Sequence, residues 1–376
     1  MKKRVDVIVL GAGSMGMAAG AFIAKQGASV LLLDAFDPPD HQGSHHGDTR
    51  MIRHAYGEGK KYVPLVLHAQ KLWHQLEEET GERLFEKTGV LGLGKSDSPF
   101  LIEEIASSKE FFLPLEILEA AEVRKRWPGI RIEDDLIGAF EPNSGLLYSE
   151  ACISAYRRVA QHHGAELCMN TRANRITYHA DGVTVHTEKG DFQADRLVVT
   201  AGAWTGSLLR DLDIPLQPFR KTAVWYEADE ALYGLGSFPS YFMDLPGERF
   251  YGFPSIQGSG LKIGSHDAGR IVDPDEVNRE FGSQPDDEGD LALMVERFFP
   301  GVSRQNKRGQ VCLVTWTPDH DFIIDRHPDH EHVLLISACS AHGFKFASAI
   351  GEIAMQMSLK GKTEMDITPF SLRRFM

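Results

Sequence analysis

Three groups of residues in this chain have the types and spacing to do chemistry. The first is Gly11-Ala12-Gly13-Ser14-Met15-Gly16, followed 18 residues later by Asp34. In a G-x-G-x-x-G turn the first glycine permits the tight bend, the second lets the backbone approach a pyrophosphate, and the third lets a helix pack on a strand. The N-terminus of that helix offers unpaired N–H donors to the phosphates, and Asp34 can accept from a ribose hydroxyl. The reading is a dinucleotide site, and the fingerprint does not choose between FAD and NAD. The second group is the polar stretch 37–59, with His41, His45, His46, His54, Arg50 and Arg53. The histidines suggest a metal, but His45 and His46 are adjacent and cannot share a helix face. No carboxylate motif completes a ligand set, so no metal is expected. The third group is dispersed: Tyr251, Lys262, His266, Cys312 and Lys345. A free cysteine is most often a small buried hydrophobe, and a lysine a solvated charge, so residue type alone assigns these no role.

The elements that must hold the fingerprint are legible around it. Val5 to Leu10 is a short apolar run of the kind found in buried parallel strands. A helical pattern through Ala18, Ala19, Phe22, Ile23 and Lys25 stops at Gly27, and Ser29 to Leu33 is a second apolar strand ending at Asp34. Together they form a βαβ unit. Beyond it, 37–59 reads as an ordered functional loop and Tyr62 to Glu79 as a helix. Gly89 to Gly94 and Leu136 to Tyr148 read as short strands, and Leu167 to Val199 as a meander turning at Asp181-Gly182 and Lys189-Gly190. Val198 to Trp204 is a strand running into a glycine turn. Arg220 to Gly264 has the period-two character of an antiparallel sheet, and Gly282 to Asp290 reads as an acidic surface loop. Val333 to Ile336 is a strand, and Phe344 to Leu359 a helix.

Composition narrows the class further. The 376 residues are 42% hydrophobic and 25% charged, ordinary globular proportions. No apolar run reaches the roughly 18 residues of a membrane span, so no membrane partner is expected. The formal net charge of −13 argues against a nucleic-acid partner. Lys2, Lys3 and Arg4 precede an apolar stretch to Ala24 that superficially resembles a signal peptide, but Asp6 and three glycines interrupt it. Four cysteines without a C-x-x-C pair indicate a reducing compartment, and a cytoplasmic location is expected.

Three further segments carry a resemblance. They are Gly43-Ser44-His45-His46-Gly47-Asp48-Thr49-Arg50 with Arg53-His54-Ala55-Tyr56-Gly57; Arg308-Gly309-Gln310-Val311-Cys312 with Phe322-Ile323-Ile324-Asp325; and Ala341-His342-Gly343-Phe344-Lys345-Phe346. With the fingerprint, Glu141-Pro142-Asn143-Ser144-Gly145 and Tyr251-Gly252-Phe253-Pro254, the chain resembles the monomeric sarcosine oxidase family, relatives of N-methyltryptophan oxidase and, more distantly, of D-amino-acid oxidase. The resemblance implies FAD tethered through a cysteine thioether to the flavin 8α-methyl, with Cys312 at the matching position. A thiolate can attack that electron-poor carbon. It implies oxidation of N-methyl amino acids with oxygen as acceptor and hydrogen peroxide as product. Arg53 and Lys345 match the carboxylate-binding pair, and Lys262 the lysine that promotes oxygen activation. His266 and Tyr251 match residues that bind substrate and shape the pocket, and His46 and Arg50 match positively charged neighbours of the flavin ring. Gly11, Gly13, Ser14, Met15, Gly16, Asp34, Gly202, Gly343, Phe344 and Lys345 complete the expected cofactor contacts. One departure is Val314, where close sarcosine oxidases carry tyrosine. It opens the pocket to larger N-methyl amino acids or cyclic imino acids such as proline. Two other readings remain: an FAD dehydrogenase with another electron acceptor, and a non-catalytic NAD sensor.

The expected fold is therefore α/β at its core and α+β overall. A Rossmann-like FAD-binding domain (1–85, 150–217 and 320–376) is interleaved in sequence with a β-rich antiparallel substrate domain (86–149 and 218–319). The chain is expected to act as a monomer on a small secondary amino acid and O2.

Overall fold

Apolar strands without alternation must be buried on both faces, and here they assemble into a parallel sheet. The computed structural model of the chain describes residues 4–267 and 269–376; Lys2 and Lys3, which open the signal-like stretch, lie outside them. Arg4–Leu10 lies between Val30–Leu33 and Gly190–Val199, parallel to both. Glu166–Cys168 extends the parallel set beyond Val30–Leu33, and Val333–Ser337 extends it beyond Gly190–Val199. Antiparallel additions from Ala173–His179, Gly182–Thr187 and Ile323–Arg326 bring it to eight strands among the described residues.

The glycine loop connects Arg4–Leu10 to the helix Ser14–Lys25, which packs against Ala347–Lys360 and Ser149–His162. Close approach is built in. Gly11 has φ +97°, a conformation strained for other residues. A Cβ on Gly16 would lie 1.8 Å from the Gly11 carbonyl oxygen.

A second, nine-stranded sheet is mostly antiparallel, among the described residues. Its core runs through Asn306–Trp316, Gln217–Tyr226, Leu261–Ser265, Glu248–Phe253 and Ser240–Leu245. Val90–Lys95 then joins Ser240–Leu245 in parallel. A three-stranded sheet links Thr49–Ile52, Gly145–Tyr148 and Phe85–Glu86.

Several readings from the sequence are corrected here. The 37–59 loop contains the strand Thr49–Ile52, whose partner Gly145–Tyr148 is distant in sequence. Glu166–Cys168 belongs to the parallel sheet and is not part of the meander. The helices Pro99–Glu110, Ala120–Arg126, Ser149–His162 and Leu291–Phe298 were not anticipated. The acidic segment 282–290 is not wholly superficial, because Asp287 is buried and receives both terminal nitrogens of Arg220.

The packing of Gly16 yields a test. Gly16→Ala forces overpacking against backbone, which costs about 1–3 kcal/mol, and should lower the thermal midpoint measured by circular dichroism. Gly206→Ala, where a Cβ meets nothing within 4 Å, should leave it unchanged or slightly raised.

Candidate active site

The parallel sheet and the antiparallel sheet meet at a cavity of about 450 Å³. One end is the glycine loop. The helix Ser14–Lys25 starts at Gly13 with no side-chain cap, so the first N–H groups of its opening turn are free to face a ligand. A Cβ on Gly13 would project into open space, with the nearest atom, His45 Nδ1, 3.9 Å away. That space is what a pyrophosphate needs, so the residues fit a dinucleotide. Asp34 also lines this end. Its two carboxylate oxygens accept from the N–H groups of Ala12 (2.6 Å) and Phe36 (2.8 Å), and each oxygen keeps a lone pair for a ribose hydroxyl. Burial pushes its carboxyl up to about 6.

The wall beyond comes from paired strands of the second sheet. In the register of Gln217–Tyr226 against Asn306–Trp316, Lys221 stands opposite Cys312 and Phe219 opposite Val314. Directly opposed residues share a face, as do residues two apart, so Cys312, Val314 and Lys221 form one surface, and all three line the cavity. The Cys312 thiol lies 3.6 Å from the His46 carbonyl oxygen. Cys339 also reaches the cavity, with its sulfur accepting from the Thr315 N–H at 3.4 Å. Tyr251 lines the cavity from the same face of this sheet, through the pairs Tyr251–Gly264 and Gly264–Ala223, and burial pushes its hydroxyl up to about 12.

The far end is cationic. Arg53 is buried, with its guanidinium 4.6 Å from the Tyr56 ring and 4.9 Å from the Phe100 ring, and it is ion-paired with Glu58. Burial alone would lower Arg53, but Glu58 holds it above its ordinary range. Burial likewise opposes ionisation of Glu58, yet Arg53, with help from His342 and Lys345, holds it down at about 2. Lys345 is buried, donating to the His342 carbonyl (2.8 Å) and the Tyr56 hydroxyl (3.2 Å). Burial, reinforced by Arg53, lowers its ammonium to about 7. His266 lines the same end, lowered by burial although Asp267 lies 3.3 Å from its Nδ1.

Of the expected residues, Gly11, Gly13, Ser14, Met15, Asp34, Arg50, Arg53, Gly202, Tyr251, His266, Cys312, Gly343, Phe344 and Lys345 line this one cavity. Gly16, His46 and Lys262 do not. Gly16 serves packing. The His46 ring turns away toward His41 (3.0 Å) and Glu150 (3.7 Å), and His45 takes the wall position instead. Lys262 shares the face of the sheet that carries Lys221 and Cys312 but is covered by residues 47–49, donating to the Gly47 carbonyl and to Thr49 with the rings of Trp225 and Phe253 beside it. Burial, together with nearby Arg50, lowers it to about 7. Arg50 donates to the carbonyls of Ser44, His46 and Thr49, so it braces the loop as well as reaching the cavity. Among the described residues no cluster of three or more histidine, cysteine or acidic side chains is arranged to hold a metal.

Glu58 and Lys221 are wall residues that the sequence reading did not single out. An acid five residues after Arg53 was a usable signal. Lys221 adjoins Arg220, and only the strand's parity tells which of the two faces inward.

Residues 6–357 match the family model described as FAD dependent oxidoreductase. The chain is similar to monomeric sarcosine oxidase of Bacillus sp. strain B-0618, 50% identical over 378 residues that cover 100% of this chain and 97% of that protein. It is similar to N-methyl-L-tryptophan oxidase of Citrobacter koseri, 41% identical over 373 residues that cover 99% of each. Its fold is that of NikD, described as an unusual amino acid oxidase essential for nikkomycin biosynthesis, with a TM-score of 0.87 at 23% identity over 98% of this chain and 97% of that one.

The depressed ammonium of Lys345 yields a pH test. A carboxylate binds the charged form, so protonation is already complete below about 7 and affinity falls as pH rises through that value. The dissociation constant of an inert monocarboxylate such as propionate, measured by calorimetry, should increase by up to about tenfold per pH unit above it. Lys345→Met should weaken binding at low pH and flatten the slope.

Proposed function

We propose that this chain, which belongs to the monomeric sarcosine oxidase family of FAD-dependent oxidoreductases, is an oxidase that demethylates sarcosine or a related N-methyl amino acid. With O2 and water it gives formaldehyde, the primary amino acid and hydrogen peroxide. The observation that carries this reading is one cavity holding an open glycine cradle at one end and Arg53 with Lys345 at the other.

FAD is the cofactor, and when bound it supplies a two-electron acceptor for the C–H bond beside the substrate nitrogen. Gly11, Gly13, Ser14 and Met15 would hold its pyrophosphate and Asp34 its ribose, with Gly16 keeping the helix close to the strand. Gly202, Gly343 and Phe344 would line the remaining contacts, and Cys312 would form the thioether. Arg50 adds positive charge beside the ring, and His46 contributes through its loop. Arg53 and Lys345 clamp the substrate carboxylate, which must share or displace Glu58 from the guanidinium. Such a clamp fixes which C–H bond faces the acceptor, and orientation of this kind contributes several kcal/mol. Tyr251 and His266 shape the space around the substrate nitrogen. Both approach the cavity from aromatic surroundings: Tyr251 beside Phe253, and His266 beside Phe242 and Trp316. Lys262 supplies a buried positive charge that favours the electron-rich oxygen species.

A division into an FAD-binding domain (1–85, 150–217 and 320–376) and a substrate domain (86–149 and 218–319) belongs to the same reading. In support, the buried cluster around Val224, Tyr241 and Phe299 is separate from the clusters on the two faces of the parallel sheet. A cytoplasmic monomer is also part of it; no helix among the described residues is long and apolar enough to cross a membrane. Val314 on the cavity wall, and the similarity to N-methyl-L-tryptophan oxidase, keep a larger substrate as the second reading.

Purified flavin-loaded protein should release peroxide when given sarcosine and oxygen. Flavin-loaded protein that turns over no secondary amino acid would overturn the proposal. Lys262→Met should slow oxygen-coupled turnover by about tenfold or more while dye-coupled turnover persists. A parallel loss of both would remove Lys262 from the oxygen half of the reaction.

A further inference from the structure

The cavity holds more positive charge than one carboxylate requires. Arg53 is already neutralised by Glu58. Lys345 and Lys221 are both buried wall residues, and neither makes an ion pair among the described residues. They occupy distinct points. The Lys345 ammonium donates to the His342 carbonyl and the Tyr56 hydroxyl, whereas that of Lys221 lies beside the His266 carbonyl and the Trp316 ring.

Lys221 is built to receive a ligand. Its ammonium donates to the His266 carbonyl and lies 5.1 Å from the centre of the Trp316 ring. An ammonium has three donors, and among the described residues the His266 carbonyl engages one of them. Asp267, the nearest acid in sequence to that carbonyl, is engaged by Arg249 at Nε and a terminal nitrogen and by His266. Burial lowers Lys221 only to about 8, which leaves it largely charged at neutral pH. The neighbouring wall position is Val314, diagonal to Lys221 across the strand pair. Its short side chain leaves room beside the ammonium.

We propose that Lys221 is a second anion subsite, and that the preferred substrate is a secondary amino acid with a distal carboxylate. Its α-carboxylate sits on Arg53 and Lys345, and its distal carboxylate sits on Lys221. The inference rests on the oxidase reading for the reacting end of the molecule. A buried ammonium without a counterion is costly, and an anion in direct contact offsets that cost where a neutral isostere does not.

The test compares each acid with its neutral amide: N-methyl-L-glutamate with N-methyl-L-glutamine, and N-methyl-L-aspartate with N-methyl-L-asparagine, by peroxide release. In at least one pair the acid should have a kcat/KM tenfold or more above the amide. That ratio should collapse toward one in Lys221→Gln and survive in Lys221→Arg. Calorimetry with glutarate and its monoamide reads the same subsite without turnover, and glutarate should bind more tightly in a Lys221-dependent manner. Acid-to-amide ratios near one, with equal binding of glutarate and its monoamide, would overturn the subsite even if sarcosine is oxidised. Lys221-dependent glutarate binding with no oxidation of any secondary amino acid would keep the subsite and reject the oxidase reading. Should Lys221→Gln fail to fold, Lys221→Arg and the wild-type ratios decide.

Discussion

The antiparallel register between Gln217–Tyr226 and Asn306–Trp316 is the constraint on which the cavity depends. Side chains on a strand alternate between faces, so a slip of one residue would turn Cys312, Val314 and Lys221 away together. The opposite parity is fixed independently. Arg220 points to the other face, where its guanidinium meets buried Asp287 and the carbonyls of Asn278 and Glu280. A slip would leave Asp287 without its partner and carry a guanidinium into the cavity. A buried ion pair is weak evidence for stability, but setting register is its best-attested use. On the other edge, Leu261–Ser265 pairs with the same strand and sets Trp225 opposite Lys262, giving that lysine an aromatic neighbour on the same face.

The second theme is positive charge withdrawn from water inside an acidic chain. Desolvation depresses Lys221, Lys262 and Lys345, each to between about 7 and 8. Such groups are destabilising until something anionic compensates them. Carbonyl oxygens compensate Lys262; Lys345 and Lys221 have only partial hydrogen bonding, which leaves them responsive to a ligand. The net charge of −13 is the excess of 53 acidic over 40 basic side chains, and other exposed carboxylates, such as Asp195, Asp134 and Asp286, are paired with arginine. Surface pairs of that kind contribute little to stability. The functional electrostatics is therefore local to the cavity.

How much of this was legible in the sequence depends on whether the requirement was local. The fingerprint was readable because its glycines, strand and helix lie within one βαβ unit, and Gly11 and Gly16 touch each other. Arg53, Lys345 and Cys312 gained roles only through resemblance, since nothing in their immediate neighbours says that three distant segments converge on one cavity. The strand Thr49–Ile52 was hidden because its partner is about 100 residues away and its four residues, two polar followed by two apolar, show no alternation. The helix Ser149–His162 does carry apolar positions at helical spacing, namely Cys152, Ile153, Tyr156, Val159 and Ala160. That pattern is masked by the short strands Leu136–Glu141 and Gly145–Tyr148 directly before it. The exchange of His45 for His46 on the wall is a matter of which way two adjacent side chains turn, and the bracing of His46 by Glu150 and His41 settles it.

The proposed thioether between Cys312 and the flavin would fix the cofactor in the cavity that also binds the substrate. Two cysteines reach the cavity, Cys312 and Cys339; the strand register puts Cys312 on the wall, and the family resemblance assigns the tether to it. Proteolysis of the flavin-loaded protein followed by mass spectrometry of the yellow peptide tests this directly. Flavin carried on the peptide containing Cys312 is the predicted result. Flavin on the peptide containing Cys339, or released entirely into solution on acid precipitation, would contradict it.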